Sequence, residues 1–254
     1  MKTKWVSRVL CGLLAAGLLC GFAALPAEEN ADLVPKQFQT AQQVDRIRVE
    51  DAISNVTIRT ADTDHITMNY ADTAEKPLYT ISVEDGLLRI QTGSLDKIGG
   101  RIVSGLSNRD LIITLPQKQY QELSVALAVG TLSVEGVQAA QLTAEAAVNT
   151  VKLNGIQADQ LNATSAVGQV TVHDSQIGNA EIEGAVGGVA VENVTASGQL
   201  TVTNIVGSVS LKDVTAHELI VQAALGHTSY KNVEAAYSKE EGIFNCHSGV
   251  VAQP

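Results

Sequence analysis

The stretch Leu200-Thr-Val202-Thr-Asn-Ile205-Val206-Gly207-Ser-Val209-Ser-Leu211-Lys-Asp213-Val214 is one statement of a phrase written six times between Leu123 and Tyr237. The copies begin at Leu123, Leu142, Leu161, Ala180, Leu200 and Leu219, a period of nineteen residues with one step of twenty. Stacked, the columns are chemically uniform. The third position carries Val125, Ala144, Ala163, Ile182, Val202 and Val221. An Ala-Val pair, replaced by Ile205-Val206 and Ala224-Leu225 in the last two copies, leads into Gly130, Asn149, Gly168, Gly187, Gly207 and Gly226, a column suited to a left-handed or tightly bent backbone. Alternating apolar residues follow, then a second turn column of Gly136, Gly155, Asp174, Asn193, Asp213 and Asn232. Gly, Asn and Asp are the residue types that tolerate such bends.

Alternating β-branched residues between turn residues indicate short strands with apolar side chains on one face. Two strands and two bends in nineteen residues describe one coil of an all-β, parallel β-solenoid. A lone coil does not hold, because its half-dozen buried apolar side chains fall short of the entropy of ordering its backbone. Stacked neighbours supply the missing burial and the inter-strand hydrogen bonds. An antiparallel sandwich also yields many short strands, yet it does not require matching chemistry in equivalent columns.

Working outward, Ile47-Arg-Val49-Glu-Asp-Ala52-Ile53-Ser54-Asn55-Val56-Thr-Ile58 fits the same phrase, so the stack begins near Asp45. Ile66 is the next plausible start, nineteen residues on. Between Ile66 and Leu123 the pattern is irregular. Tyr79-Thr-Ile81-Ser-Val83-Glu-Asp85-Gly86-Leu87-Leu88-Arg-Ile90 suits either a hairpin at Asp85-Gly86 or a coil corner there. The Gly-punctuated stretch Ser94–Asn108 reads as a mobile loop. Leu111-Ile-Ile113-Thr-Leu115-Pro116 is a strand and its stop. The whole span reads as irregular coils or a small antiparallel cap. Residues 28–44 are polar and Gln-rich, and read as a linker; residues 238–254 lose the pattern and read as a polar tail that caps the last coil.

Lys2, Lys4 and Arg8 precede an apolar run from Val9 to Leu25, closed by Pro26 and Ala27. A basic start, an apolar centre and a small residue at the cut describe a secretory signal over 1–27. The same run is close to the length of an uncleaved membrane anchor. Cys20 follows Gly17-Leu18-Leu19, and a bulky residue directly before the cysteine departs from a lipidation signal. Cleavage leaves 14 basic and 27 acidic side chains, a net charge of −13. Such a surface argues against nucleic acid and against anionic lipid. Only Cys246 then remains of three cysteines, which excludes an internal disulfide framework.

The opening I-x-V phrase at Ile47, then Y-x-I-x-V-E-D-G-x-L-x-I from Tyr79, then L-I-I-T-L-P from Leu111, then Val-rich repeats with Gly corners are together similar to the bacterial "putative adhesin" family. That family is a domain of unknown function in secreted and envelope proteins, resembling the head domains of auto-transporter adhesins. The resemblance spans roughly residues 45–237 and implies a surface scaffold or interaction module. Members of the family carry S-G-D at the corner where this chain has Ala166-Val167-Gly168-Gln169, so the acidic ladder implied by the resemblance is largely missing.

Catalytic and metal signals are sparse. In the second turn column Asp174 and Asp213 stand two coils apart with Asn193 between them, about 10 Å, too far to share one ion directly. Glu135, Glu192 and Lys212 fit a solvated edge. His65, His173, His217, His227 and His247 show no H-x-H or H-E-x-x-H spacing, and Cys246-His247 is a single pair. The tryptophan is Trp5, in the signal, so a stacking platform for sugars would have to come from Tyr70, Tyr79, Tyr120, Tyr230 and Tyr237. No catalytic, cofactor-binding or metal residue is assigned, and no cofactor is expected. The chain reads as a non-enzymatic exported module whose partner is a surface protein or a cell-wall or extracellular glycan, with no nucleic acid and membrane contact only through an uncleaved N-terminus. The competing readings are a membrane-anchored envelope-stress accessory protein and a carbohydrate-active β-helix enzyme.

Overall fold

The computed structural model describes residues 33–73, 77–92, 109–242, 244–248 and 251–253. The N-terminal 1–27 segment with Cys20, and the Ser94–Asn108 loop, lie outside the described residues. The elements are all strands: β1 (Leu33–Thr40), β2 (Arg46–Ile53), β3 (Asn55–Ala61), β4 (Ile66–Thr73), β5 (Tyr79–Glu84), β6 (Leu87–Thr92), β7 (Asp110–Pro116), β8 (Gln119–Val129), β9 (Leu132–Glu135), β10 (Gln138–Val148), β11 (Val151–Asn154), β12 (Gln157–Glu241), β13 (Phe244–Ser248) and β14 (Val251–Ala252). They form one 14-stranded sheet in the order β1-β4-β7-β3-β9-β11-β12-β10-β8-β2-β6-β5, with β13 and β14 on β12. This is an all-β chain with a large, mostly parallel sheet.

The columns of the sequence become hydrogen-bonded neighbours. β8, β10 and the start of β12 pair in parallel, with Leu123 beside Leu142 and Leu142 beside Leu161. β9, β11 and the next part of β12 do the same, Leu132 beside Val151 and Val151 beside Val170. β12 runs for 85 residues through successive layers, bending at its positive-φ corners and joining both ladders. Its inward residues, among them Val170, Val172, Val189, Val191, Val202 and Val209, are fully or almost fully buried. The core is therefore a stack of matching aliphatic layers, which is where the hydrophobic free energy of the fold resides.

Both turn columns adopt positive φ. The second holds Gly136 at +66°, Gly155 at +64°, Asp174 at +51°, Asn193 at +53°, Asp213 at +53° and Asn232 at +51°. The first is more extreme, Gly168 at +143° and Gly187 at +135°, with Asn149 at +112° carrying the column's one side chain. A Cβ on Gly187 would stand 1.7 Å from the carbonyl oxygen of Gly168, and one on Gly207 would stand 1.6 Å from that of Gly187. Glycine is required at these corners by the contact between chains of adjacent layers as well as by φ.

The N-terminal third differs from the sequence expectation at Ile66 and at the linker, and takes one of the two alternatives at Asp85-Gly86. Ile66 does not open a further layer. β4 instead runs antiparallel to both β1 and β7, and β2 and β3 pair directly with β8 and β9, Ile47 beside Leu123 and Val56 beside Leu132. The intervening β6 and β7 lie on the other side of β2 and β3. Asp85-Gly86 is a hairpin turn between antiparallel β5 and β6, with both residues left-handed at +47° and +72°. Leu33–Thr40, inside the expected linker 28–44, is an eight-residue strand on β4. At the other end β13 and β14, from the stretch read as a tail, pair in parallel with Leu225–Ser229 and Val233–Glu234 of β12.

Candidate functional site

The outward side chains of successive layers engage one another. In the second turn column Asn193 Nδ2 donates to Asp174 Oδ1 at 2.5 Å, and Asn232 Nδ2 donates to Asp213 Oδ1 at 2.8 Å. Asp and Asn alternate, so each carboxylate receives a donor from the next layer. Beside them Glu192 stands between Lys212, whose ammonium hydrogen-bonds to it, and His173, whose Nδ1 is 3.6 Å from Glu192 Oε2. That bond to Glu192 holds the Lys212 ammonium above its ordinary range. Glu135 accepts instead from Ser133 Oγ at 3.1 Å. On another edge Gln199 Nε2 donates to Glu218 Oε2 at 2.9 Å, and Gln199 N donates to Asn179 Oδ1 at 2.9 Å.

The remaining histidines are scattered. His65 contacts Asp64, His217 meets the Tyr237 ring edge-to-face at 5.7 Å, and His227 Nε2 lies 3.3 Å from Ser248 Oγ. The backbone of Cys246 stands beside that of His227, and His247 beside Thr228. Among the described residues no three His, Cys, Asp or Glu side chains converge on a point that would hold a metal ion. A shallow recess on an outer face is lined by Thr143, Glu145, Asn162, Thr164, Glu181 and Glu183. It draws on three successive layers, with Glu145 and Glu181 exposed and Glu183 buried.

A buried polar cluster joins the hairpin to the first layer, and sequence reasoning missed it. Tyr79 Oη donates to Asp51 Oδ2 at 2.8 Å and lies 2.9 Å from Ser54 Oγ, while the amide of Ile53 donates to Asp51 Oδ1 at 2.8 Å. Arg109 sits 5.5 Å over the Tyr79 ring, and Tyr70 packs edge-on to it at 5.3 Å. Asp72 accepts from the amide of Leu78 at 2.6 Å and pairs with Lys36 Nζ at 3.4 Å. Burial, and then the Asp51 charge, push the Tyr79 phenol far above its ordinary range. The signal was present: Asp51 occupies an inward position where later copies have Leu127, Ala146 and Ser165. A buried carboxylate needs such donors to be tolerated. Tyr79 and Tyr120 are thus built into the interior, Tyr120 donating to Pro116 O at 3.1 Å, and neither forms an exposed sugar platform.

Stacked parallel ladders with glycine corners and an antiparallel N-terminal cap define the class. The family model described as Toastrack DUF4097 matches residues 44–204, and the chain belongs to that family. Among solved structures it is similar to one described as a "putative adhesin" from Bacteroides fragilis, at 14% identity and TM-score 0.48, covering 87% of this chain and 99% of the other. It is also similar to a "putative lipid binding protein" from Parabacteroides distasonis, at 16% identity and TM-score 0.46, covering 87% and 96%. A "putative adhesin" from the same species matches at 13% identity and TM-score 0.44, covering 88% and 98%. No curated protein matches.

Proposed function

We propose that this chain is an exported, non-enzymatic β-solenoid of about 19-residue coils that presents a rigid recognition surface at the cell envelope, toward a surface protein or a cell-wall or extracellular glycan. The observation that carries the reading is the mutual engagement of outward polar side chains between layers. Asn193 on Asp174, Asn232 on Asp213, Lys212 on Glu192 and Gln199 on Glu218 are held by neighbours before any partner arrives. Side chains ordered in advance lose less entropy on binding, which favours a recognition role for such faces. Catalysis needs groups aimed at a shared point in a water-excluding cleft, whereas these ladders pair along the stack. The apolar run Val9–Leu25 behind three basic residues supports export.

The test is binding of the purified protein to isolated cell-wall fractions, extracellular glycans and surface-protein extracts by surface plasmon resonance. Saturable retention on one fraction is expected, weakened by Asn193→Ala with Asn232→Ala. Absence of binding to every fraction, or turnover of a glycan, would remove this reading. Mass spectrometry of the cell-associated and released protein reads the N-terminus. A chain starting at Glu28 fits a released or wall-bound module, and an intact N-terminus in the membrane fraction fits an anchored accessory protein.

A further inference from the structure

We infer that the Val167–Val186–Val206–Leu225 ridge is a self-association surface whose partner is a second copy of this chain. The inference does not rest on the proposed recognition function. Among the described residues six large hydrophobic side chains are exposed, and four of them form this one column, at 38%, 47%, 40% and 45% exposure. The column continues downward through Val148, Val129 and Ile53, which face one another in register. Each ridge residue is followed by a glycine, and Gly187, Gly207 and Gly226 each lie directly on the glycine one layer below. Beside these four residues the ridge therefore runs along a trough that carries no side chain, bounded below by Asn149.

Two features select a second copy as the occupant. The first is charge. Residues 165–172, 184–191, 204–211 and 223–230, which span the ridge, the trough and the adjoining strand, contain no Asp, Glu, Lys or Arg, although the chain carries a net charge of −10. This is a face on which two acidic molecules meet without opposing like charges. The second is periodicity. Hydrogen-bonded strands are spaced at about 4.8 Å, so the ridge repeats at that interval. A surface that interdigitates with it along its whole length must repeat at the same interval. An identical ladder does so, the ridge of each copy entering the trough of the other about a two-fold axis, as matched side-chain ladders do in dry zippers. The outward residues 167–171 and their equivalents in four layers make a face of about 15 by 20 Å from its layer and residue spacings, well below the area of a standard interface. A weak dimer follows.

Sedimentation velocity tests this on the protein as its cells process it, from low micromolar to about 1 mM. The sedimentation coefficient should rise with concentration toward the dimer value. Added salt should strengthen the association, because it screens the repulsion between two acidic chains while leaving the neutral contact untouched. Val186→Asp with Val206→Asp should leave a monomer throughout in protein that circular dichroism shows to be folded, its melting temperature lowered because two carboxylates then face each other across adjacent layers. Ser208→Arg, in the charge-free strand beside the trough, should act the same way, and Val34→Asp, exposed on the distant edge strand, should leave the dimer intact. A single monomeric species up to the highest concentration overturns the inference. So does association that persists in folded Val186→Asp/Val206→Asp protein, or that weakens as salt rises.

Discussion

Replacing Gly187 by alanine tests whether the corners are set by contact between layers or by backbone conformation alone. Gly187 has φ +135°, and its added Cβ would lie 1.7 Å from Gly168 O and 2.7 Å from Gly168 C. Relief requires the two layers to separate by more than 1 Å at that corner, since carbon and oxygen do not approach within 3.0 Å. Such a shift breaks one or two ladder hydrogen bonds at about 1 kcal/mol each, beyond the left-handed penalty of about 1–2 kcal/mol. The expected loss is about 2–4 kcal/mol, in the range of a core truncation. Gly155 is the control. It too is left-handed, at +64°, yet its nearest neighbour is Gly136 Cα at 3.6 Å, an ordinary contact. Gly155→Ala should therefore cost only the conformational term, about 1 kcal/mol. Both substitutions remove the same backbone freedom from the unfolded chain, so the difference reports the folded state alone: the approach between layers together with the less favourable φ of Gly187. Urea unfolding followed by circular dichroism reads it. Losses for the two variants that agree within about 1 kcal/mol would refute the contact argument.

Val170 is fully buried between Val151 and the layer above, so Val170→Asp places an unpaired charge in the aliphatic stack and should cost several kcal/mol. A loss below about 0.5 kcal/mol in the same urea experiment would put that side chain outside the core. Burial first, and then the Asp45 charge, push the Tyr120 phenol up to about 12, while the unfolded chain ionises near the ordinary value of 10. The neutral phenol's contribution is thus complete below pH 10 and is lost as pH rises from 10 through 12. Unfolding midpoints measured across pH 8–12 should fall above pH 10, and Tyr120→Phe should flatten part of that fall; an unchanged slope in the variant would count against the assignment.

The repeated part of the fold was legible because every layer solves the same problem. Layers that stack in register need apolar side chains at the same inward positions, and bends at the same offsets, so the columns of the sequence are the layers of the structure. Gly168, Gly187 and Gly207 in one column, and Asp174, Asn193 and Asp213 in the other, marked corners whose φ values are all positive. The N-terminal cap lacked that redundancy. Ile66 sits one period after Ile47, but the residues after it supply neither a glycine corner nor a second turn column, and β4 turns back antiparallel. The spacing alone carried no information without the columns. β1 has a linker-like sequence for a related reason. An edge strand hydrogen-bonded to β4 on one side only needs few apolar residues, and Pro35 and Lys36 are the residue types that keep such an edge from recruiting another chain.

The same redundancy explains why the surface was harder to read than the core. In a repeat, a residue that matches its column reports on stacking, and information specific to one place lies where a column is broken. Asp51 breaks the inward column and turns out to anchor Tyr79, which ties the hairpin to the first layer. Asn204 breaks the same column near the other end. It is buried, its Nδ2 donates to Gly187 O at 3.2 Å and Ser208 O at 3.3 Å, and its Oδ1 has no partner, facing the space where Gly184 lacks a Cβ. The glycine in one layer is therefore what admits the amide in the next, a dependence that neither residue reveals alone. The exposed ridge is the opposite case. Its column is unbroken, valine after valine, yet it lies outside, where stacking does not require an apolar side chain. A column kept apolar without a packing reason is the feature that a physical reading of the repeat singles out as a surface for association.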